Sequence, residues 1–242
     1  MSPSESSFLV EDLVAANRIL AHLGVVDGYG HVSVRHDRDP ERYLLSRARA
    51  PELVGAEDLV EHDLESRPRG PESRPLYTER FIHGEIYRAR ADVRAVVHHH
   101  APSVIPFGVC SVPLRPLYHM SAFIGGGIPV FEIRDAGRPT DMLVRTPEQA
   151  RALAATLSGG AAALMRGHGA VVVGVSLSQA VGRSVYLELN ARLQLQAMQL
   201  GGAITYLDAE EARRATETLG GYERAWELWK RKALSEPREG WR

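Results

Sequence analysis

Three consecutive histidines, His98, His99 and His100, stand at the end of the apolar run 93–97. Successive strand side chains point to opposite faces, so an extended segment places His98 and His100 on one face and turns His99 away. Two imidazoles on one face can bind a single divalent cation. Glu79 upstream and the glycine-flanked His168 downstream are candidates to complete such a site. The sequence therefore indicates metal chemistry.

The composition excludes several classes of protein. The chain has 242 residues, of which 44% are hydrophobic and 24% charged, with a formal net charge of −1. These values are typical of a globular protein and offer no electrostatic footprint for nucleic acid. Cys110 is the only cysteine, which excludes an intramolecular disulfide and a thiolate metal site. The N-terminus lacks a secretory pattern, and no apolar stretch approaches the about 20 residues of a membrane span. We therefore expect one domain over residues 1–242, in a cytoplasmic enzyme that binds neither nucleic acid nor membrane.

Apolar spacing predicts the elements that position these residues. The predicted helices cover residues 7–23, 78–89, 102–108, 147–157 and 176–200, with a further helix around residue 121 and C-terminal helices over 208–236. The predicted strands cover residues 31–35, 43–46, 93–100, 128–133, 161–165 and 170–173. In the helix over 78–89, Glu79 and His83 would share one face. Strands that alternate with helices, without a glycine-rich phosphate motif, predict an α/β fold with a mixed, mostly antiparallel central sheet.

Four motifs stand in an order that resembles the class II aldolase/adducin family. They are Gly30-His31-Val32-Ser33-Val34-Arg35, then Glu79, then His98-His99-His100-Ala101-Pro102, then Gly167-His168-Gly169. The similarity covers roughly residues 8–215. It implies a three-layer α/β/α class II aldolase-like fold and a homotetramer with active sites between neighbouring subunits.

The resemblance also implies roles for the candidate site residues. His98, His100 and His168 would bind one divalent metal ion per subunit, and Glu79 would be the acid or base and a candidate fourth ligand. Imidazole with carboxylate suits manganese, zinc, cobalt and iron alike. The tyrosine of the aldolases aligns with His119, so either Glu79 or His119 could deliver a proton. As an acid near neutrality, Glu79 would need its pKa raised by desolvation.

The chain departs from the sugar-phosphate aldolases where these hold a phosphate. Their small hydroxyl and glycine residues are largely replaced by arginine, histidine and tyrosine. Arginine binds a carboxylate bidentately, which favours a small-molecule carboxylate substrate. Arg47 is the first candidate for that contact and Arg49 the second, although a surface ion pair suits each equally well. His31 and Tyr118 are further candidate contacts, and His31 could equally be a hydrogen-bonded core residue.

Within the family, the motif wording is most similar to the decarboxylase branch, which includes 3-hydroxy-2-methylpyridine-4,5-dicarboxylate and dihydroxyphthalate decarboxylases. The resemblance thus implies a metal-dependent decarboxylase of a hydroxylated aromatic or heteroaromatic (di)carboxylic acid, with the metal stabilising the developing carbanion as a Lewis acid. An aldolase acting on a non-phosphorylated hydroxy-keto compound and a non-haem iron oxygenase are the alternatives. A non-catalytic adducin-like interaction module is disfavoured, because such modules tend to lose the ligands that are present here.

Overall fold

The computed structural model describes the backbone of residues 4–235 and the side chains of residues 8–235. The helices are α1 (Ser4–His22), α2 (Phe81–Ala89), α3 (Pro147–Leu157), α4 (Leu177–Gln199), α5 (Ala209–Leu219) and α6 (Glu223–Leu234). The strands are β1 (His31–Arg35), β2 (Arg42–Ser46), β3 (Leu59–Asp63), β4 (Ala95–His99), β5 (Val130–Phe131), β6 (Ala162–Met165) and β7 (Gly169–Gly174). Within these described residues, no helix is both long and apolar enough to cross a bilayer.

The seven strands form one sheet in the order β3-β2-β1-β4-β7-β6-β5. Every neighbouring pair is antiparallel except β5 and β6, which are parallel. The predicted mixed, mostly antiparallel sheet is therefore confirmed. The histidine strand β4 lies between β1 and β7, with His98 opposite His31 on one side and Val171 on the other. The pairing brings motifs that are far apart in sequence to one end of the sheet.

Helices cover both faces of the sheet, as the three-layer prediction requires. Val32, Val97 and Val172 pack with α1 and α4 in one core, whereas Val96 and Val171 pack with α2 and α3 in the other. This is the alternation expected of a strand buried on both faces. His98 shares the face of Val96 and the neighbouring His99 shares that of Val97, so the two histidines enter different layers.

Several predicted elements differ in detail. Strand β3 was not predicted, because Glu61, His62 and Asp63 leave it only two apolar residues. The predicted helices over 102–108 and around residue 121 are the short 3-10 helices Ile105–Gly108 and His119–Ile124. The predicted strand over 128–133 shortens to β5, since Pro129 has no N–H to donate to a ladder. Helix α2 begins three residues later than predicted, after a 3-10 turn at Thr78–Arg80.

Candidate metal centre and active site

Three segments of the chain bring the four candidate ligands to one end of the sheet. His98 lies on β4, His100 just beyond its end, and His168 in the turn between β6 and β7. Glu79 occupies the 3-10 turn before α2, with a non-helical backbone (φ −89°, ψ 16°). A Cβ added to Gly169 would lie 2.0 Å from the His99 carbonyl oxygen. Only glycine therefore lets the His168 turn approach the histidine strand so closely.

The coordinating atoms of these four residues converge. The Nε2 atom of His100 lies 3.1 Å from Nε2 of His98 and 3.0 Å from Nε2 of His168. Oε2 of Glu79 lies 3.5 Å from Nε2 of both His98 and His168. All four ligand atoms fall within 4.8 Å of one another. The arrangement brings together the four residues that the resemblance implies as ligands.

The hydrogen bonds around the cluster fit a metal ion. Nδ1 of His98 donates to the Ala170 carbonyl (3.1 Å), and Nδ1 of His168 donates to the Met142 carbonyl (2.8 Å). A carbonyl can only accept, so both Nδ1 atoms carry protons. Both Nε2 atoms are then unprotonated, and their lone pairs face the cluster and are available to bind a metal. Three imidazole nitrogens and one carboxylate oxygen are a set that zinc, manganese, iron or cobalt accepts. The residues present therefore fit the metal that the family implies.

Glu79 is oriented by the backbone and charged at neutral pH. Its Oε1 accepts the Val144 N–H at 2.8 Å, which turns Oε2 toward the histidines. Burial by itself disfavours the carboxylate, but His168 and His98 outweigh that effect and hold the pKa of Glu79 below its ordinary value. The raised pKa that an acid role requires is absent. Glu79 is therefore deprotonated in the resting site, as a metal ligand or a proton acceptor must be, and it could give a proton only after taking one.

A cavity of about 400 Å³ opens beside the cluster, within the size range of small-molecule sites. Glu79, His98 and His100 line one part of it, and His31, Arg49 and Tyr77 line another. The His31 ring lies 4.6 Å from the Tyr77 ring and 5.0 Å from the His98 ring, measured between centroids. The Tyr77 hydroxyl donates to the Arg49 carbonyl, which fixes the backbone of that wall.

The two candidate arginines lie differently. Arg49 lines the cavity, whereas Arg47 does not. Both contact the buried carboxylate of Asp58, with Nε–Oδ distances of 2.7 Å for Arg47 and 3.2 Å for Arg49. Asp58 also accepts the Gly55 N–H. Sequence reasoning missed Asp58, because no local motif links Arg47 to a carboxylate eleven residues later. Two guanidinium groups that share one carboxylate leave one uncompensated positive charge near the cavity.

Tyr118 and His119 do not join the cluster within one chain. Neither lines the cavity described above, and His119 is exposed. Buried Asn190 of α4 holds their segment by accepting the Leu117 N–H and the Ser121 hydroxyl proton. The Tyr118 hydroxyl is buried and has no hydrogen-bond partner among the described residues. The segment is thus fixed in place, with His119 at the surface.

Comparisons with known proteins agree with this geometry. The family described as Class II Aldolase and Adducin N-terminal domain matches residues 11–195. Decarboxylase tropJ of Talaromyces stipitatus is 35% identical over 250 residues, covering 93% of this chain and 94% of that protein. The 3,4-dihydroxyphthalate decarboxylase of Arthrobacter keyseri is 31% identical over 244 residues, with the same two coverages. In fold, the chain is similar to the solved L-fuculose 1-phosphate aldolase from Glaciozyma antarctica PI12, with a TM-score of 0.78, 24% identity, and coverage of 95% of this chain and 90% of that one. The ordered motifs, the three-layer fold and the extent of these matches together show that the protein belongs to the class II aldolase/adducin family.

Proposed function

We propose that the protein is a divalent-metal-dependent decarboxylase of a hydroxylated aromatic or heteroaromatic (di)carboxylic acid. The observation that carries this proposal is the group formed by Glu79, His98, His100 and His168, beside a cavity whose wall also holds Arg49. The two decarboxylase relatives, matched over nearly their whole lengths, support a carboxy-lyase.

The charges around the cavity favour a dicarboxylate. Arg47, Arg49 and Asp58 together carry one net positive charge. A divalent ion at the cluster adds two positive charges and Glu79 subtracts one. A substrate with two carboxylates then brings the total to zero, which matters because an uncompensated charge is costly in a partly desolvated site. Arg49 is the residue that we assign to the second carboxylate, since Arg47 lies outside the cavity lining.

A divalent ion in this site would act as a Lewis acid toward negative charge that develops on the substrate as CO2 leaves. Glu79, a carboxylate near neutrality, takes the proton of the substrate hydroxyl and returns it to the ring carbon that has lost CO2. The Val144 N–H holds the carboxylate in place for both steps. One proton thus moves from the substrate hydroxyl to the ring carbon, and the product is left as a phenolate that takes its proton from water.

We further propose that Tyr118 and His119 act in the cavity of a neighbouring subunit. The segment that carries the exposed His119 and its neighbour Tyr118 is hydrogen-bonded to Asn190 but lies outside the cavity of its own chain. In the homotetramer implied by the family, they would contribute to the cavity of a neighbouring subunit. His119 would then be an alternative proton donor.

A screen for CO2 release tests the proposed function. Metal-depleted protein is supplied in turn with Mn²⁺, Co²⁺, Zn²⁺ or Fe²⁺ and assayed on ortho-hydroxy aromatic dicarboxylates, with the matched monocarboxylates as controls. We expect metal-dependent CO2 release that favours the dicarboxylates. Cleavage of a hydroxy-keto compound or a sugar phosphate without CO2 release would indicate an aldolase instead. Consumption of O2 with Fe²⁺ would indicate an oxygenase, and a protein without bound metal or activity would indicate an interaction module.

A further inference from the structure

Four buried polar side chains form a continuous hydrogen-bonded chain that runs from the cavity wall to α2. Nδ1 of His31 lies 2.6 Å from Nε2 of His83, and Nδ1 of His83 lies 2.6 Å from Oγ of Ser33. Oγ of Ser33 lies 2.8 Å from the Tyr87 hydroxyl. All four residues are buried, and His31 alone lines the cavity. The chain therefore connects the cavity to the layer between the sheet and α2.

Hydrogen-bond satisfaction fixes the direction of this chain. Among the described residues, the Tyr87 hydroxyl contacts Oγ of Ser33 and the backbone N–H of Val96. The N–H can only donate, so the tyrosine proton goes to Ser33. The Ser33 proton is then free for Nδ1 of His83, and His83 donates from Nε2 to Nδ1 of His31. In the reverse direction, the Tyr87 proton would be buried without an acceptor, which destabilises the folded protein. The forward direction satisfies every donor of the series except the Nε2–H of His31, the residue that lines the cavity.

We propose that His83, Ser33 and Tyr87 are positioning residues that hold neutral His31 as an Nε2–H hydrogen-bond donor facing the cavity. Nε2 of His31 has no hydrogen-bond partner in the described part of the chain. The substrate group bound there must then be an acceptor, such as a carboxylate or phenolate oxygen. The identity of that group rests on the proposed function, whereas the direction of the chain does not.

The same chain makes His31 unsuited to give its proton away. If His31 gave up its Nε2 proton and recovered one through His83 and Ser33, Tyr87 would be left as a tyrosinate. Burial raises the pKa of Tyr87 far above its ordinary value, so this outcome is disfavoured. His31 therefore binds and orients the substrate, and proton transfer stays with Glu79 or His119.

Nitrogen-15 spectra of the zinc-loaded protein test the direction, because two-bond correlations distinguish the two neutral histidine tautomers. The signals of His31 are those that His31→Gln removes. We expect the Nε2–H tautomer for His31 in the wild-type protein, and a mixture in Ser33→Ala, where His83 loses its proton donor. Tyr43→Phe is the matched control. Tyr43 is equally buried and stacks on His83, but its hydroxyl donates to Ser66, which is not part of the hydrogen-bonded series from His31 to Tyr87. An Nδ1–H tautomer in the wild-type protein, or an unchanged tautomer in Ser33→Ala, overturns the proposal.

Steady-state kinetics test the donor role on the substrate. His31→Leu removes the N–H, whereas His31→Gln keeps one at similar reach. We expect KM to rise about tenfold or more in His31→Leu, the factor that one charge-assisted hydrogen bond supplies, and to stay within about threefold of wild type in His31→Gln. Equal KM values in the two variants overturn the donor role. If no substrate releases CO2, the proposed function fails, and the tautomer in the wild-type spectrum still decides the direction of the chain.

Discussion

Asp58→Asn should weaken both the fold and substrate binding, because Asp58 anchors the arginines beside the cavity. Its carboxylate accepts Nε of Arg47 at 2.7 Å and the Gly55 N–H at 2.9 Å, and lies 3.2 Å from Nε of Arg49. Asparagine keeps one acceptor oxygen and turns its NH2 toward a guanidinium group. A hydrogen bond to a charged group contributes about 1.5–3 kcal/mol. The side chains of Arg47 and Arg49 are 23% and 34% exposed, so water offsets part of the loss. We therefore expect the free energy of unfolding to fall by about 2 kcal/mol.

The functional consequence of Asp58→Asn is separable from the loss of stability. With Arg49 released, KM for a dicarboxylate should rise about five- to tenfold, whereas metal content should not change. Denaturant unfolding and steady-state CO2 release measure the two effects. Asp63→Asn is the matched control, because it breaks a pair with the 70% exposed Arg67 and should change stability by less than about 0.5 kcal/mol. If Asp58→Asn and Asp63→Asn behave alike, the anchoring role of Asp58 is wrong.

Three further predictions follow from the site, from the core and from assembly. Glu79→Gln should lower kcat by a factor of about 10²–10⁴, while stability stays near wild type because glutamine still accepts the Val144 N–H. Wild-type turnover in this variant would show that another group moves the proton. Burial lowers the pKa of His62 to about 4, below its value of about 6.5 in the unfolded chain, so stability present above pH 6.5 is lost as the pH falls toward 4. Between pH 7 and pH 5, the free energy of unfolding should therefore fall by about 2 kcal/mol less in His62→Phe than in the wild-type protein. Equal decreases in the two proteins would contradict this prediction. Sedimentation at micromolar concentration should show a tetramer, and a fully active monomer would remove the proposed contribution of Tyr118 and His119 to a neighbouring cavity.

The sequence predicted the layers of the fold well, because burial imposes periodic signals. Short apolar runs within residues 95–99 and 169–174 mark the central strands, and Pro147 at the first helical position marks the start of α3. Strand β3 was missed because a sheet edge needs few apolar side chains. The turn at Glu79 was missed because a local backbone break leaves no signal in apolar spacing.

The candidate site was predicted unevenly for a related reason. Strand alternation places His98 and His100 together without knowledge of any other element. The contact between Arg47 and Asp58 depends on how the irregular segment between them folds back, and apolar spacing carries no signal for that path. The chain from His31 to Tyr87 likewise forms only when α2 packs on β1. The positions of side chains that depend on tertiary packing were therefore the ones left open.

The central claim is that Glu79, His98, His100 and His168 hold the divalent ion on which decarboxylation depends. Elemental analysis of the purified protein, paired with CO2 release by the same samples, tests this claim directly. Wild-type protein and His22→Ala, which removes a histidine outside the cluster, should each hold one ion per chain and release CO2. His100→Ala should lose both the ion and the activity. Full metal occupancy and full CO2 release in His100→Ala would contradict the account.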